Sequence, residues 1–358
     1  MNFPEEFEAA DQVLVINLLY LGDLVFSLPL IQELKRQCPQ KELHLLALDP
    51  FINLLEGADF IDHLIPYNKR SGWQEAATAA GELRKIKYDF SLNVHGSWRS
   101  LLFQRAASTG VRIGYTRESS TFQGLFLDYA RTWNPQKKHI VEYQLRWLNE
   151  LGLELPENAG LPGIKPPDSA RESIKKMLDD SFSSEWRGNL LVLNPGGSWP
   201  SKRWPVEKFI GLGRQVLTRL DAKIVITGGE SDIKRNEEIA RGILNKAENF
   251  GSDSIFQAAG KTSIPELLAL MTRADAAVSG DTGPAHVAAL AGTPQVTLFG
   301  PSDEKKYRPY ASGNRAQILN NDVDCRPCGE HNCPLDHHRC LEEIQPEEVL
   351  NQIENILR

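Results

Sequence analysis

A short stretch in the last third of the chain, SGDTGPAHVAALAGTP (residues 279–294), combines residue types that can hold an anion. Asp281 and Thr282 are good helix N-cap residues, Gly283 lets a ligand approach the backbone, and Pro284 suits a first helical turn. Unpaired amides and the helix dipole favour negative charge at such a terminus. The stretch therefore predicts a binding site for the diphosphate of an activated donor, although an ordinary capped strand-to-helix turn has the same features.

Two other glycine-bearing segments precede it, NPGGSWPSK (residues 194–202) and TGGE (residues 227–230). Ser198 offers a hydroxyl donor, and Lys202 offers a cation that can reach a phosphate oxygen. Glu230 is an acid just after a glycine pair, where a ribose diol needs an acceptor. Singly, Lys202 could be a solvated lysine and Glu230 a first-turn acid. The three segments together favour a nucleotide-diphosphate site.

Two more side chains could take part in a transfer from a bound donor. His286 lies in the first turn after Asp281, where it could donate to a phosphate or orient the turn; a packed core histidine is the alternative. Asp23 follows the first apolar run of the chain. Transfer to a hydroxyl needs a carboxylate beside the attacking oxygen, and Asp23 is the best candidate for that general base, although an N-cap aspartate would stand in the same place.

The elements that must position these residues are strands buried on both faces. Residues 12–19 form a continuous apolar run, which is typical of a parallel strand, and residues 24–34 then show helical spacing. The same strand–turn–helix order recurs after a Pro- and Gly-rich stretch, residues 154–170, part of which is interpreted as an interdomain linker. Two doubly wound α/β domains are expected, with ligands at the carboxyl ends of the strands and the domains facing across a cleft.

Composition narrows the function classes. The 358 residues suit two domains, and the net charge of −7 argues against nucleic acid as a partner. No apolar run is long enough for a transmembrane helix, and the acidic N-terminus lacks a secretory core. A cytoplasmic protein is expected, and peripheral contact with a membrane stays open.

Four cysteines crowd into CRPCGEHNCPLDHHRC: Cys325, Cys328, Cys333 and Cys340. Their compact spacing allows a structural zinc site, but the usual paired ligand knuckles are missing. Reduced thiols, or thiols oxidised artefactually, are the favoured interpretation.

In this order, the motifs LLYLGDLVFSLP, NVHGSWRS, NPGGSWPSKRWP, ITGGESD, SGDTGPAHVAALAGTP and LFGPSDEKKYRPY resemble glycosyltransferase family 9, the ADP-heptose:lipopolysaccharide heptosyltransferases. The Cys-rich tail is similar to that of heptosyltransferase II-type members. The resemblance implies a GT-B architecture, with an acceptor-binding N-terminal domain (residues 1–165) and a nucleotide-sugar-binding C-terminal domain (residues 171–344). It also implies that the last helix, in residues 345–358, packs back on the N-terminal domain.

The resemblance further implies an inverting transfer of heptose from ADP-heptose to the lipid A-core acceptor, at the inner membrane, with no cofactor and no required metal. By this resemblance Asp23 is the base, Lys202 contacts phosphate and Glu230 binds ribose. Asp281, Thr282, Gly283 and His286 form the donor turn. NPGGS replaces a more hydroxyl-rich loop of some members, so the resemblance does not fix how Ser198 contacts the donor.

Four basic residues of the first half could bind phosphate or carboxylate groups of the lipopolysaccharide core: Lys69, Arg70, Arg99 and Arg112. Scattered solvated charge is the alternative for each of them. Three other functions remain open on the same pattern: a different GT-B transferase of envelope glycans, a GT-B-like nucleotide-sugar epimerase, and a non-catalytic nucleotide-sugar binder.

Overall fold

The computed structural model describes residues 3–107, 109–116, 121–134, 138–182, 186–245, 251–311 and 313–358. The chain divides into two compact units, Met1–Ile164 and Lys165–Arg358. Each unit has its own parallel sheet among the described residues, so the prediction of an α/β protein with two doubly wound domains is confirmed.

The first unit is a six-stranded sheet in the order β3-β2-β1-β4-β5-β6, parallel throughout. Its strands are β1 (Gln12–Asn17), β2 (Glu42–Leu48), β3 (His63–Tyr67), β4 (Tyr88–Asn93), β5 (Thr109–Thr116) and β6 (Tyr129–Thr132). Its described helices are α1 (Phe3–Glu8), α2 (Leu21–Gln37), α3 (Gly72–Arg84), α4 (Trp98–Ala106) and α5 (Ile140–Glu150).

The second unit repeats this plan, with the strand order β12-β11-β10-β7-β8-β9, again parallel. Its strands are β7 (Asn189–Asn194), β8 (Ala222–Ile226), β9 (Ile255–Gln257), β10 (Ala276–Gly280), β11 (Gln295–Phe299) and β12 (Ala316–Asn320). Its described helices are α6 (Asp168–Ser181), α7 (Val206–Arg219), α8 (Ile233–Leu244), α9 (Ile264–Arg273), α10 (Gly283–Ala291), α11 (Glu304–Tyr307), α12 (Arg339–Glu342) and α13 (Pro346–Leu357).

The central strands are the most apolar because both of their faces are covered. All five residues of β10 and all five of β11 are buried, as are the last five of β1. Because both sheets are parallel, every strand ends at the same edge of its sheet, and the loops that follow the strands meet there. This arrangement brings together residues that are far apart in the sequence.

The last helix, α13, belongs to the second unit and packs there against α7 and β11. Val349, Leu350 and Ile353 are fully buried in the same core cluster as Trp204 and Phe209. The physical reason is that α7 and α13 are both amphipathic and each covers the apolar stripe of the other.

Within the described residues, none of the helices has the length and apolar content that a membrane crossing requires.

Candidate functional site

The three glycine-bearing loops of the second unit converge. They follow β7, β8 and β10, which are adjacent in the sheet. A Cβ on Gly197 would lie 3.1 Å from the Thr282 Cγ2 atom, and a Cβ on Gly280 would lie 2.7 Å from the Lys202 carbonyl oxygen. A side chain at either position would come too close to the neighbouring loop. The two glycines therefore allow the loops after β7 and β10 to pack against one another at one edge of the sheet.

The N-terminus of α10 opens into this loop cluster. Thr282 is its N-cap, in extended conformation, and its side chain makes no capping hydrogen bond. The Thr282 hydroxyl donates instead to the Gly280 carbonyl oxygen, at 3.3 Å. The first-turn amides are thus not satisfied by the usual N-cap side chain, which is the state in which a helix terminus binds an anion. Gly292 ends the helix with a φ of +73°, as a C-cap glycine does.

Lys202 and Asp281 form an ion pair beside this terminus. The Lys202 Nζ atom donates to the Asp281 Oδ2 atom at 2.6 Å. The carboxylate is 4% exposed and the lysine side chain is 20% exposed. The Lys202 ammonium also lies 4.8 Å from the centre of the Trp199 ring. Asp281 therefore holds the lysine in place, and the part of the lysine that remains exposed can still meet a phosphate.

His286 is a buried neighbour of the pair. It is 5% exposed, and its Nε2 atom lies 3.8 Å from the Asp281 Oδ1 atom. Burial lowers the pKa of His286 to about 4, against the opposing influence of the Asp281 charge. The ring is therefore neutral at physiological pH and is part of the support beneath the turn. Of the two roles predicted for His286, its burial favours orienting the turn over direct contact with a phosphate.

Ser198 and Glu230 are exposed at the tips of their loops. Glu230 opens a short 3-10 turn, Glu230–Asp232, that continues into α8. Asp232, which the sequence analysis missed, fixes this turn because its carboxylate accepts the Gly229 amide at 3.0 Å. A Cβ on Gly196 would lie 2.4 Å from the same carboxylate, so Asp232 also packs against the β7 loop.

Two guanidinium groups near these loops were also missed. A pocket of about 240 Å³ beside the β7 loop is lined by Pro200, Arg203, Trp204, Pro205, Val206, Arg235, His338 and Glu342. Arg203 donates to the Gly197 carbonyl oxygen at 2.7 Å. Burial, together with the nearby charge of Arg203, lowers the pKa of Arg235. Two adjacent cations of this kind favour an anionic ligand.

The carboxyl edge of the first sheet carries Asp23. This residue lies in the first turn of α2, directly after β1, and is partly buried. Asn17, the last residue of β1, donates from Nδ2 to the Asp23 carbonyl oxygen and to the Ser27 hydroxyl, both at 3.0 Å. The first turn of α2 is therefore fixed to the end of the strand, and this fixes the position of the Asp23 backbone.

A second loop at this edge is held just as closely. The Leu18 amide donates to the Nε2 atom of His95 at 3.0 Å, and His95 follows β4. Gly96 comes next with a φ of +62°, and a Cβ there would lie 1.8 Å from the Tyr115 carbonyl oxygen. This loop thus requires glycine on grounds of both conformation and space.

Two of the four predicted acceptor-binding cations contact aromatic rings at the carboxyl edge. The Lys69 ammonium lies 5.8 Å from the Tyr20 ring centre, and the Arg99 guanidinium lies 5.9 Å from the Tyr67 ring centre. Arg70 is exposed and adjoins Lys69.

Arg112 is placed differently, because it lies within β5 and not at its end. It makes two parallel 2.9 Å hydrogen bonds to the Asp128 carboxylate. This pairing raises the pKa of Arg112 and lowers that of Asp128. Arg112 is therefore held by Asp128 within the first sheet, and it is not included in the proposed acceptor site.

The Cys-rich segment, residues 325–340, contacts the loops that follow β7 and β11. The Ser201 hydroxyl donates to the Glu330 carbonyl oxygen at 2.6 Å, and Arg326 donates to the Gly300 carbonyl oxygen, also at 2.6 Å. All five cysteines of the chain are free. In this segment, which the structure describes throughout, no three potential metal ligands gather as tightly as 4.8 Å. The segment therefore holds the loops after β7 and β11 through these hydrogen bonds.

Comparison with known proteins adds independent information. The model of the family described as glycosyltransferase family 9 (heptosyltransferase) matches residues 77–339. Lipooligosaccharide heptosyltransferase 2 of Campylobacter jejuni is 26% identical over 342 residues, which cover 95% of this chain and 96% of that protein. Lipopolysaccharide heptosyltransferase 2 of Salmonella typhimurium is 24% identical over 355 residues, covering 97% and 98%.

Solved structures show the same fold. A glycosyltransferase family 9 protein from Veillonella parvula aligns with a TM-score of 0.83 at 23% identity and covers 97% of both chains. The ADP-heptose lipopolysaccharide heptosyltransferase II of E. coli aligns with a TM-score of 0.78 at 23% identity, covering 97% of this chain and 98% of that one.

Proposed function

The chain belongs to glycosyltransferase family 9, as its motifs predicted, and from this premise we propose that it transfers a heptose from ADP-heptose to the inner core of lipopolysaccharide. Its activity as a glycosyltransferase follows from the family. The donor and acceptor are proposed from the relatives, which are named as lipopolysaccharide or lipooligosaccharide heptosyltransferases.

One observation supports the donor half of the proposal: the three glycine-bearing loops, a lysine and a helix N-terminus converge at one edge of the second sheet. In the proposed complex the Thr282–Gly283 turn and the Lys202 ammonium bind the diphosphate of ADP. Glu230 accepts hydrogen bonds from the ribose, and Ser198 adds a hydroxyl from the exposed loop. Asp281 and His286 hold the turn beneath them. Hydrogen-bond donors placed around a diphosphate stabilise the negative charge that grows on it when it leaves the sugar.

The acceptor half rests on Asp23. In the proposed reaction the Asp23 carboxylate takes the proton from an acceptor sugar hydroxyl. The oxygen then forms a bond to the anomeric carbon from the face opposite ADP. The bond from that carbon to the phosphate oxygen breaks, and ADP leaves with the electron pair. A single displacement of this kind inverts the anomeric centre, and it requires one base on the acceptor side.

Lys69, Arg70 and Arg99 are proposed to bind anionic groups of the acceptor. Lys69 and Arg99 lie against tyrosine rings, which shield one face of each cation and orient it. These cations lie at the carboxyl edge of the sheet that bears Asp23. An acceptor would have to lie at this edge for Asp23 to reach its hydroxyl.

We further propose peripheral contact with the inner membrane through the first unit. Large apolar side chains are exposed on α4 and on the 3-10 turn Thr121–Phe126: Trp98, Leu102, Phe122 and Leu125. The two elements pack together, and the Trp98 and Phe126 rings lie 5.7 Å apart. Exposed aromatic and aliphatic groups beside Arg99 suit the boundary region of an anionic membrane.

The test of the reaction is Asp23→Asn, with Asp59→Asn as a matched control because Asp59 is exposed and makes no described contact with the site. Transfer by Asp23→Asn is expected to fall by about 10²- to 10⁴-fold, the usual contribution of a general base, while ADP binding stays as in the wild type. ADP release would be measured with ADP-heptose and a lipid A-core acceptor, and also with donor alone.

Near-normal transfer by Asp23→Asn would remove Asp23 as the base. Acceptor-independent conversion of the donor would refute transfer in favour of an epimerase. Binding of both substrates without any release of ADP would leave only a nucleotide-sugar binder.

A further inference from the structure

A compact group of possible metal ligands lies in the first unit, far along the sheet from Asp23. It consists of Glu42 and His44 on β2 and His63 on β3. Glu42 and His44 are two residues apart and so lie on one face of the strand, and His44 pairs directly with His63 across the parallel ladder. The three side chains are thus brought together by strand register.

The ligand atoms already lie close to one another. The Oε1 atom of Glu42 is 2.9 Å from the Nε2 atom of His63 and 3.9 Å from the Nε2 atom of His44. One ligand atom from each residue fits within a span of 4.8 Å. Four ligands around zinc are about 3.3 Å apart, given Zn–N distances of about 2.0 Å, so side-chain shifts of about 1 Å complete the geometry.

His44 gives the second, independent indication of a ligand. It is 2% exposed, and its Nε2 atom has no hydrogen-bond partner. A buried polar atom without a hydrogen bond is destabilising, and such atoms are rare in folded proteins. Because this nitrogen faces the Glu42 carboxylate and His63, a cation bound between the three side chains would satisfy it.

The surroundings of the three residues resemble the outer shell of a metal site. The Nδ1 atom of His44 lies 3.1 Å from the Tyr88 hydroxyl, whose oxygen can accept a hydrogen bond from Nδ1–H. In that tautomer Nε2 carries no proton and can bind a metal. Gln12 donates from its side chain to the Oε2 atom of Glu42, which keeps Oε1 directed at the histidines.

We propose that Glu42, His44 and His63 bind a zinc ion through Oε1 and the two Nε2 atoms, with water in the remaining position. Two imidazoles and one carboxylate form a ligand set that suits a borderline cation such as Zn²⁺. His63 is more than half exposed, so the ion can enter from solvent. The site lies at the amino ends of its strands, at the opposite edge of the sheet from Asp23. The ion therefore joins β2 to β3 and stabilises the first unit without taking part in sugar transfer.

The experiment measures zinc binding by calorimetry on the full-length protein, with Co²⁺ as a spectroscopic substitute. The wild type is expected to bind one zinc ion at this site, to gain thermal stability with it, and to show cobalt absorption without a thiolate charge-transfer band. His63→Ala and Glu42→Gln are expected to lose this ion, with a fall in affinity of more than about tenfold. Tyr88→Phe is expected to weaken zinc binding by roughly tenfold, since it removes an outer partner only.

The controls separate this site from other ligands. Glu56→Gln changes an exposed acid elsewhere in the first unit, and the Cys325→Ser/Cys328→Ser pair removes two thiols of the Cys-rich segment. Both proteins are expected to keep the zinc ion. His63 is exposed, so His63→Ala should fold normally and remain informative even if a His44 variant does not.

Unchanged zinc stoichiometry and affinity in His63→Ala would overturn the proposal. So would loss of the ion in the cysteine variant alone, or a failure of the wild type to bind zinc at micromolar concentrations. In those cases Glu42 and His63 form only a surface ion pair.

Discussion

Removal of the Lys202 charge separates two roles that this lysine has in the site. The lysine is proposed to bind the donor diphosphate, but it also neutralises Asp281, which is 4% exposed. Lys202→Met keeps much of the side-chain volume and removes the charge. It should therefore weaken ADP binding and also leave a buried carboxylate without its partner.

The structure sets the size of both effects. At 2.6 Å the pair has a gross attraction of about 6 kcal/mol for an effective dielectric constant of about 20. Desolvation offsets part of this, and breaking a buried pair costs about 3–5 kcal/mol. Because the lysine is partly exposed, we expect Lys202→Met to lower the free energy of unfolding by about 3 kcal/mol. Loss of a charge-assisted phosphate contact should weaken ADP binding roughly 10- to 100-fold.

The double variant Lys202→Met/Asp281→Asn distinguishes the roles. Urea unfolding should show most of the lost stability restored, because no uncompensated charge remains. Calorimetry should show that ADP affinity stays low, because the phosphate-binding cation is still absent. If ADP affinity recovers along with stability, Lys202 acts only by holding Asp281, and the proposed contact with the diphosphate is wrong. If Lys202→Met unfolds at the wild-type urea concentration, the pair does not stabilise the unit.

Two further predictions concern other parts of the chain. The pKa of His286 is about 4 in the folded protein and about 6.5 when unfolded, so between these pH values the unfolded state binds more protons and stability is lost as the pH falls. The full loss is about 3 kcal/mol, and His286→Asn should flatten this part of the stability–pH profile; an equally steep profile would contradict the burial argument. Leu102→Gln/Leu125→Gln should reduce cosedimentation with phosphatidylethanolamine–phosphatidylglycerol vesicles by roughly tenfold or more, since each buried leucine contributes about 1.5–3 kcal/mol; unchanged binding would exclude this surface as the membrane contact.

Much of the fold could be predicted from the sequence because central parallel strands are apolar without interruption. The runs that contain β1, β7 and β10 indicated both the strands and the loops after them. The short outer strands β6, β9 and β12 were missed, since they have only three to five residues and none of those residues is buried. The start of α6 was assigned to the linker because its first turn follows a Pro-rich stretch.

The candidate site was predictable where a role depends on one position in a motif, and not where it depends on contacts between distant segments. Asp23 and Lys202 occupy motif positions after strands. The ion pair between Lys202 and Asp281 joins residues 79 positions apart, and nothing in either motif indicates it. The Glu42–His44–His63 group was missed for the same reason, because it depends on the register of β2 against β3. The packing of α13 similarly depends on the apolar stripe of α7.

The backbone amides at the amino edges of the two sheets and those at the start of α10 differ in how they are satisfied, and this difference affects where a ligand can bind. At the amino edge, aspartates accept amides at or near the strand starts. Asp89 accepts the Gln12 amide at 2.9 Å, and Asp275 accepts the Leu190 amide at 2.7 Å. At the carboxyl edge of the second sheet, Thr282 leaves the first turn of α10 without a side-chain cap. Amides satisfied by the chain stabilise the fold, whereas amides not satisfied by it can bind a ligand. Substitution of Asp89 or Asp275 should therefore lower stability, and substitution of Thr282 should mainly lower donor binding.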